Sequence, residues 1–158
     1  MAEDLTLITT DSKEEKYKSL LPQIEGLLMG ESNRVANLAN IAAALKEALG
    51  FFWVGFYLVD NEDELVLGPF QGPVACTRIS KGKGVCGKVW ETNKALIVPD
   101  VDQFPGHIAC SSASKSEIVI PVYAKNEIIG VLDVDSDELN SFDEVDEKWL
   151  GEISDLIN

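Results

Sequence analysis

A cysteine, Cys110, stands in a run of small polar residues that also contains the only histidine of the chain, His107. A carboxylate, Glu117, follows shortly after this run. Two further cysteines, Cys76 and Cys86, lie upstream in glycine-flanked segments, where the backbone turns and can present side chains to solvent. The three cysteines therefore indicate thiol chemistry.

The composition limits the class of protein and of partner. The chain has 158 residues and a net charge of −14, so it is long enough to form one domain that buries about 70% of its unfolded surface. We expect residues 1–158 to form this single domain. The negative charge would repel nucleic-acid phosphates and acidic lipids. Neither nucleic acid nor a membrane is therefore an expected partner.

The first residues are acidic, and no apolar run approaches the roughly 20 residues of a membrane span. We therefore expect no leader and a soluble, cytoplasmic protein. In that reducing compartment, an odd number of cysteines argues against a structural disulfide framework. Any disulfide is expected to be transient or catalytic.

The hydrophobic pattern predicts an α+β protein. Helices are expected over residues 13–29, from Ser32 or Asn33 to Gly50, over 85–92, and at the C-terminus around Trp149. Strands are expected over residues 51–59, 65–70, 73–79, 95–98, 117–123 and 128–134. The expected fold is a central antiparallel sheet of about five or six strands, packed between N- and C-terminal helices and a face made of loops and a short helix. The long loop over 99–115 holds Cys110, and loops of this length are usually functional or disordered.

Alternation along the strands places particular side chains on one face of the sheet. Trp53 and Tyr57 share a face with Gly55 between them, so the rings can wall a small ligand site or be ordinary core aromatics. Asp133 and Asp135 share a face of a later, otherwise apolar strand. These carboxylates are paired, exposed at the strand end, or kept for a cationic or proton-sharing task. A solvated strand end is the default expectation.

Two other kinds of site fit the sequence less well. The spacing Cys-x9-Cys-x20-His-x2-Cys differs from the Cys-x2-Cys pairs that zinc sites favour, so we predict no metal site. A cysteine protease carries its histidine on a separate element, whereas His107 lies in the same loop as Cys110.

Several segments together resemble one family. They are Gly72-Pro-Val-Ala-Cys76, Gly84-Val-Cys86-Gly, Pro99-Asp-Val, Gly106-His-Ile-Ala-Cys110, Ser116-Glu117-Ile-Val-Ile-Pro121 and Ile129-Gly-Val-Leu-Asp133-Val-Asp135-Ser136. This set resembles the free methionine-(R)-sulfoxide reductases, which are single GAF-domain proteins. The resemblance includes Trp53-Val-Gly-Phe-Tyr57 and covers nearly the whole chain. It is specific, because GAF domains in general lack three cysteines at these places.

The resemblance implies that the protein reduces free L-methionine-(R)-sulfoxide. Cys110 would attack the substrate sulfur, Cys76 would resolve the oxidised product, and Cys86 matches a third family cysteine whose role is less settled. Attack would give methionine and a cysteine sulfenic acid, which condenses to a disulfide. A thioredoxin-like dithiol protein would restore the thiols. No metal or organic cofactor is required.

The resemblance also implies a substrate site. Its residues would be Trp53 and Tyr57 around the methylthio group, and Glu117, Asp133 and Asp135 around the ammonium and sulfoxide groups. Asp100 is a weaker candidate for the same acidic cluster. Such a cluster favours a free amino acid over a methionine within a polypeptide, which lacks the ammonium charge.

A sulfoxide sulfur is a poor electrophile until its oxygen is protonated or hydrogen-bonded. Closely spaced carboxylates can supply the proton because like charges raise each other's pKa. Glu117 and Asp135 are the expected donors. The same charges disfavour a Cys110 thiolate, so His107, a backbone dipole or the bound substrate must favour it.

Two other interpretations stay open from the sequence. The chain could be a non-catalytic GAF module that senses a small molecule, although such modules usually regulate an attached output domain. The cysteines could also be small buried hydrophobes, which is common for free cysteines. The sequence leaves the oligomeric state open, a homodimer included.

Overall fold

The structure of the protein is a computed structural model that describes residues 4–158. The expected absence of a leader was inferred from the acidic first residues, and most of these lie outside the described range. The helices are α1 (Lys13–Leu28), α2 (Arg34–Leu49), α3 (Gly84–Thr92) and α4 (Glu144–Ser154), with a short 3-10 helix at Val101–Gln103. The strands are β1 (Trp53–Val59), β2 (Glu64–Gln71), β3 (Arg78–Ser80), β4 (Leu96–Val98), β5 (Ser116–Ala124) and β6 (Glu127–Ser136).

Within residues 4–158, the six strands form one sheet in the order β3-β2-β1-β6-β5-β4. All neighbouring pairs are antiparallel. The β5–β6 hairpin turns at Lys125 and Asn126, which both have positive φ, as a tight turn matched to the twist of the strands requires. The expected α+β fold and antiparallel sheet are confirmed.

The helix ends follow from local chemistry. The Asn33 side chain accepts a hydrogen bond from the Ala36 N–H at the start of α2, and Gly50 ends this helix with φ 70°. Both features agree with the prediction. Pro22 lies inside α1, where it has no N–H to donate to the helix.

The sheet separates two hydrophobic layers. Helices α1, α2 and α4 cover one face, where Phe56 and Leu132 are fully buried. The short helix α3 covers the other face, where Trp53 and Tyr57 lie in the same cluster as Val89 of α3. Because α3 has only nine residues, loops cover the rest of this face.

One predicted strand is mostly a loop. The expected strand over residues 73–79 is reduced to β3, and residues 73–77 are irregular. Pro73 has no N–H to donate to a sheet, and Gly72 before it has φ 137°, which an L side chain rarely adopts. The segment that carries Cys76 therefore leaves the sheet.

No helix within residues 4–158 combines the length and the apolar character that crossing a membrane requires.

Candidate active site

A cavity of about 560 Å³, including the part open to solvent, lies on the α3 side of the sheet. The predicted site residues that line it are Trp53, Tyr57, Cys86, Cys110, Glu117, Asp133 and Asp135. Cys76 reaches the same place through its bond to Cys110. Asp100 does not line this cavity; its carboxylate caps the 3-10 helix by accepting a hydrogen bond from the Asp102 N–H.

Strand register brings the acidic residues together. Glu117 of β5 lies opposite Asp135 of β6, and Asp135 lies opposite Trp53 of β1. Asp133 lies one row further along the same face, opposite Gly55. The three carboxyl groups therefore project into one cavity from two adjacent strands.

These carboxyl groups are not solvated strand ends, contrary to the default expectation. Glu117 is 5% exposed and Asp133 is 6% exposed, and Asp135 is half-buried. Among the described residues, no hydrogen-bond partner exists for the Oδ1 atom of Asp133. A buried polar atom without a partner is costly, and a catalytic or binding role is one explanation for it.

Burial changes the protonation of the cluster. Burial, followed by the charge of Asp135, raises the pKa of Glu117 to about 8. Burial and the charge of Glu117 raise the pKa of Asp133 well above its ordinary value, and burial and the charge of Asp133 do the same for Asp135. The cluster therefore holds protons at neutral pH and can donate one.

Cys76 and Cys110 form a disulfide, with their Cα atoms 5.3 Å apart and a separation of 34 positions in sequence. Each cysteine lies in a loop, one after β2 and the other before β5. Both are half-buried. The structure therefore shows the oxidised form of a cysteine pair beside the acidic cluster.

Cys86 is a free, buried thiol in the first turn of α3. Its Sγ atom lies 4.0 Å from Oε1 of Glu117. Burial and then the charge of Asp133 raise the pKa of this thiol well above its ordinary value. Cys86 is therefore protonated at neutral pH, and it is a poor nucleophile in this state.

One set of donors in the described chain could hold a metal ion. The Sγ atom of Cys86 and one oxygen each of Glu117 and Asp133 lie within 4.8 Å of one another. Burial favours the protonated forms of all three groups. Because metal ligands must be deprotonated, a metal ion would have to displace these protons.

His107 lies beside the acidic cluster. Its Nε2 atom is 3.6 Å from Oε2 of Glu117. Burial lowers the pKa of His107 in spite of the nearby charge of Asp102, which acts in the opposite direction. A neutral imidazole provides no positive charge to favour a thiolate at Cys110, so such a thiolate would need a backbone dipole or the substrate.

The two predicted aromatic residues form one wall of the cavity. The rings of Trp53 and Tyr57 are stacked with centroids 6.0 Å apart, and Trp53 also stacks on Phe70 at 5.2 Å. A Cβ at Gly55 would clash with Cβ of Phe70 and would lie 2.8 Å from Cη2 of Trp53. Glycine thus allows Phe70 and the indole to pack closely against β1.

Lys83 is a cavity residue that was not predicted from the sequence. This residue lines the cavity and is the N-cap of α3, without a side-chain capping bond. The first N–H groups of a helix have no acceptor within it, and those of Gly84 and Val85 donate to no carbonyl oxygen elsewhere in the described backbone. The glycine-rich turn before a short amphipathic helix could have indicated this positively charged helix N-terminus.

Comparisons with known proteins agree with this architecture. The GAF domain family model matches residues 36–158. The chain is 70% identical over 158 residues to GAF domain-containing protein A of Dictyostelium discoideum, covering 100% of this chain and 99% of that protein. It is 48% identical over 143 residues to the free methionine-R-sulfoxide reductase of Escherichia coli, covering 90% of this chain and 86% of that enzyme.

A solved structure is also similar. It is the free methionine-R-sulfoxide reductase of Neisseria meningitidis in complex with its substrate. The sequences are 54% identical, the TM-score is 0.93, and the match covers 98% of this chain and 93% of that one.

Proposed function

Because the chain belongs to the free methionine-R-sulfoxide reductase family of GAF-domain proteins, we propose that it reduces free L-methionine-(R)-sulfoxide to L-methionine. The observation that carries this proposal is the disulfide between Cys76 and Cys110 beside a buried acidic cluster. A cysteine pair can supply the two electrons of the reduction, and protonated carboxyl groups can supply the proton. The whole chain acts as one GAF-like domain.

The first chemical step reduces the substrate sulfur. The Cys110 thiolate attacks this sulfur while Glu117 or Asp135 protonates the sulfoxide oxygen. The oxygen then passes to Cys110 as a sulfenic acid, and methionine leaves. The substrate sulfur gains two electrons and the cysteine sulfur loses two.

The second step closes the disulfide. The Cys76 thiolate attacks the sulfenic sulfur of Cys110, the S–S bond forms, and the hydroxyl group leaves as water after taking a proton. A dithiol protein of the thioredoxin type then reduces the disulfide by exchange. This partner and the low disulfide content of reducing compartments favour a cytoplasmic location.

The charges of the cavity suit a free amino acid. The substrate ammonium group binds the acidic cluster formed by Glu117, Asp133 and Asp135. The substrate carboxylate binds Lys83 and the free N–H groups at the start of α3, where a helix favours an anion. The methylthio group lies against the aromatic wall of Trp53 and Tyr57, whose rings are 6.0 Å apart.

Cys86 has a different role from the other two cysteines. Its thiol is buried and protonated, and it lies 4.0 Å from Glu117. We therefore assign it to the acidic cluster, where its thiol donates a weak hydrogen bond to Glu117 and takes no part in the redox cycle.

Replacing Cys76 by serine tests the proposed cycle. The variant should form about one methionine per enzyme with thioredoxin as the only reductant, because resolution follows the chemical step. The wild-type protein should turn over many times under the same conditions. Dithiothreitol should restore multiple turnover to the variant, since a small thiol can reduce the Cys110 sulfenic acid directly. Full turnover of Cys76→Ser with thioredoxin would remove Cys76 from the cycle.

A further inference from the structure

The loop that carries Cys76 has few backbone contacts. It connects β2 to β3, and within residues 4–158 no backbone–backbone hydrogen bond involves residues 73–76. Loops without such bonds are usually held by side chains or are mobile. The attachment of this loop therefore depends on a small number of identifiable contacts.

Two aromatic side chains supply those contacts. The indole Nε1–H of Trp53 donates to the carbonyl oxygen of Pro73 at 3.0 Å. The hydroxyl of Tyr57 donates to the carbonyl oxygen of Cys76 at 2.9 Å. The two hydrogen bonds therefore hold both ends of the segment from Pro73 to Cys76.

The rings themselves are rigidly placed. Trp53 is 5% exposed and Tyr57 is 2% exposed, and both belong to β1 in the middle of the sheet. The loop also lies close against the indole, since a Cβ at Gly72 would be 2.7 Å from Cδ1 of Trp53. The position of Cys76 is thus fixed by contacts with the central strand β1.

This arrangement matters most when the disulfide is absent. In the oxidised form the S–S bond itself holds Cys76 beside Cys110. In the reduced form, Cys76 must return to the same place to attack the Cys110 sulfenic acid. The two hydrogen bonds from β1 do not involve sulfur and can persist in that form.

We propose that Trp53 and Tyr57 are positioning residues for Cys76, holding the reduced loop so that disulfide closure follows sulfoxide reduction quickly. This inference deepens the proposed function and rests on it for the order of the two steps. The bond that forms is between the sulfurs of Cys76 and Cys110, and water leaves with the sulfenic oxygen. The aromatic wall therefore serves the resolving cysteine as well as the substrate.

The test separates the two steps in a single turnover. Reduced enzyme is mixed with one equivalent of free methionine-(R)-sulfoxide, and methionine formation and the loss of free thiols are timed separately. In Tyr57→Phe, the rate of disulfide closure relative to methionine formation should fall about five- to tenfold, as for the loss of one hydrogen bond. Dimedone should trap more Cys110 sulfenic acid in this variant. Tyr123→Phe, the same change at an exposed residue of β5, should retain the wild-type ratio.

A second oxidant keeps this test independent of substrate binding. One equivalent of hydrogen peroxide converts a thiolate to a sulfenic acid and hydroxide, so closure can be timed without sulfoxide. Tyr57→Phe and Trp53→Phe should both close more slowly than the wild-type protein in this arm. Wild-type closure rates in both variants would overturn the proposal. If peroxide shows slow closure but the wild-type protein forms no methionine from the sulfoxide, the proposed function fails and the positioning role stands.

Discussion

Replacing Cys110 by serine is expected to abolish methionine formation while the protein stays folded. A hydroxyl is a far weaker nucleophile toward sulfur than a thiolate, and removing an enzyme nucleophile commonly lowers the rate by roughly 10³-fold or more. Cys110 is half-buried at the cavity, so the smaller, polar oxygen should leave the packing intact. The measurement is methionine formed per enzyme with dithiothreitol as reductant.

The matched control for Cys110→Ser is Ser112→Ala, an exposed position in the same loop. This variant should form methionine at the wild-type rate. Circular dichroism and thermal melting should show that both variants are folded. Retained activity in Cys110→Ser would move the nucleophile to Cys76 or Cys86.

The second large effect concerns the acidic cluster. Glu117→Gln or Asp135→Asn should lower the rate by roughly 10²- to 10⁴-fold, the usual range for the loss of a general acid. The physical basis is the burial of Glu117 and its place opposite Asp135, which raise the pKa of Glu117 to about 8. Both variants should retain a Cys110 that reacts with thiol reagents.

The pH dependence follows from the direction of that shift. Glu117 carries its proton below its pKa, so the wild-type rate should fall as the pH rises through about 8. Glu117→Gln should lack this fall because an amide does not titrate. Glu127→Gln, at the exposed start of β6, provides the control and should leave the rate and the profile unchanged. Near-normal rates with an unaltered profile in Glu117→Gln and Asp135→Asn would show that these carboxyl groups do not donate the proton.

Much of the fold could be predicted because local patterns determine it. Alternation in β6 correctly placed Asp133 and Asp135 on one face, and the Asn33 and Gly50 caps were predicted from their residue types. These features depend only on neighbours in the chain.

The burial of the acidic residues depends on long-range pairing instead. Glu117 meets Asp135 only because of the register between β5 and β6, and β1 then places Trp53 beside them. Local sequence does not encode how strands pair across a sheet or what covers their face. A solvated strand end was therefore the default expectation, and it was wrong for Asp133.

The prediction of a strand over residues 73–79 was wrong for a related reason. The segment's alternating small and apolar residues suit a strand, but donors from Trp53 and Tyr57 replace the hydrogen bonds of a neighbouring strand. Lys83 was missed because only the folded chain shows that it lines the same cavity as the acidic cluster. Both errors occur where the chain departs from regular structure to build the site.

The most direct test of the central claim is the conversion of free methionine sulfoxide with dithiothreitol as the only reductant. The two sulfoxide epimers are assayed separately, and the methionine released is measured by chromatography. We predict sustained methionine formation from the (R) epimer and none from the (S) epimer. No methionine from the (R) epimer would contradict it, and so would equal rates for the two epimers.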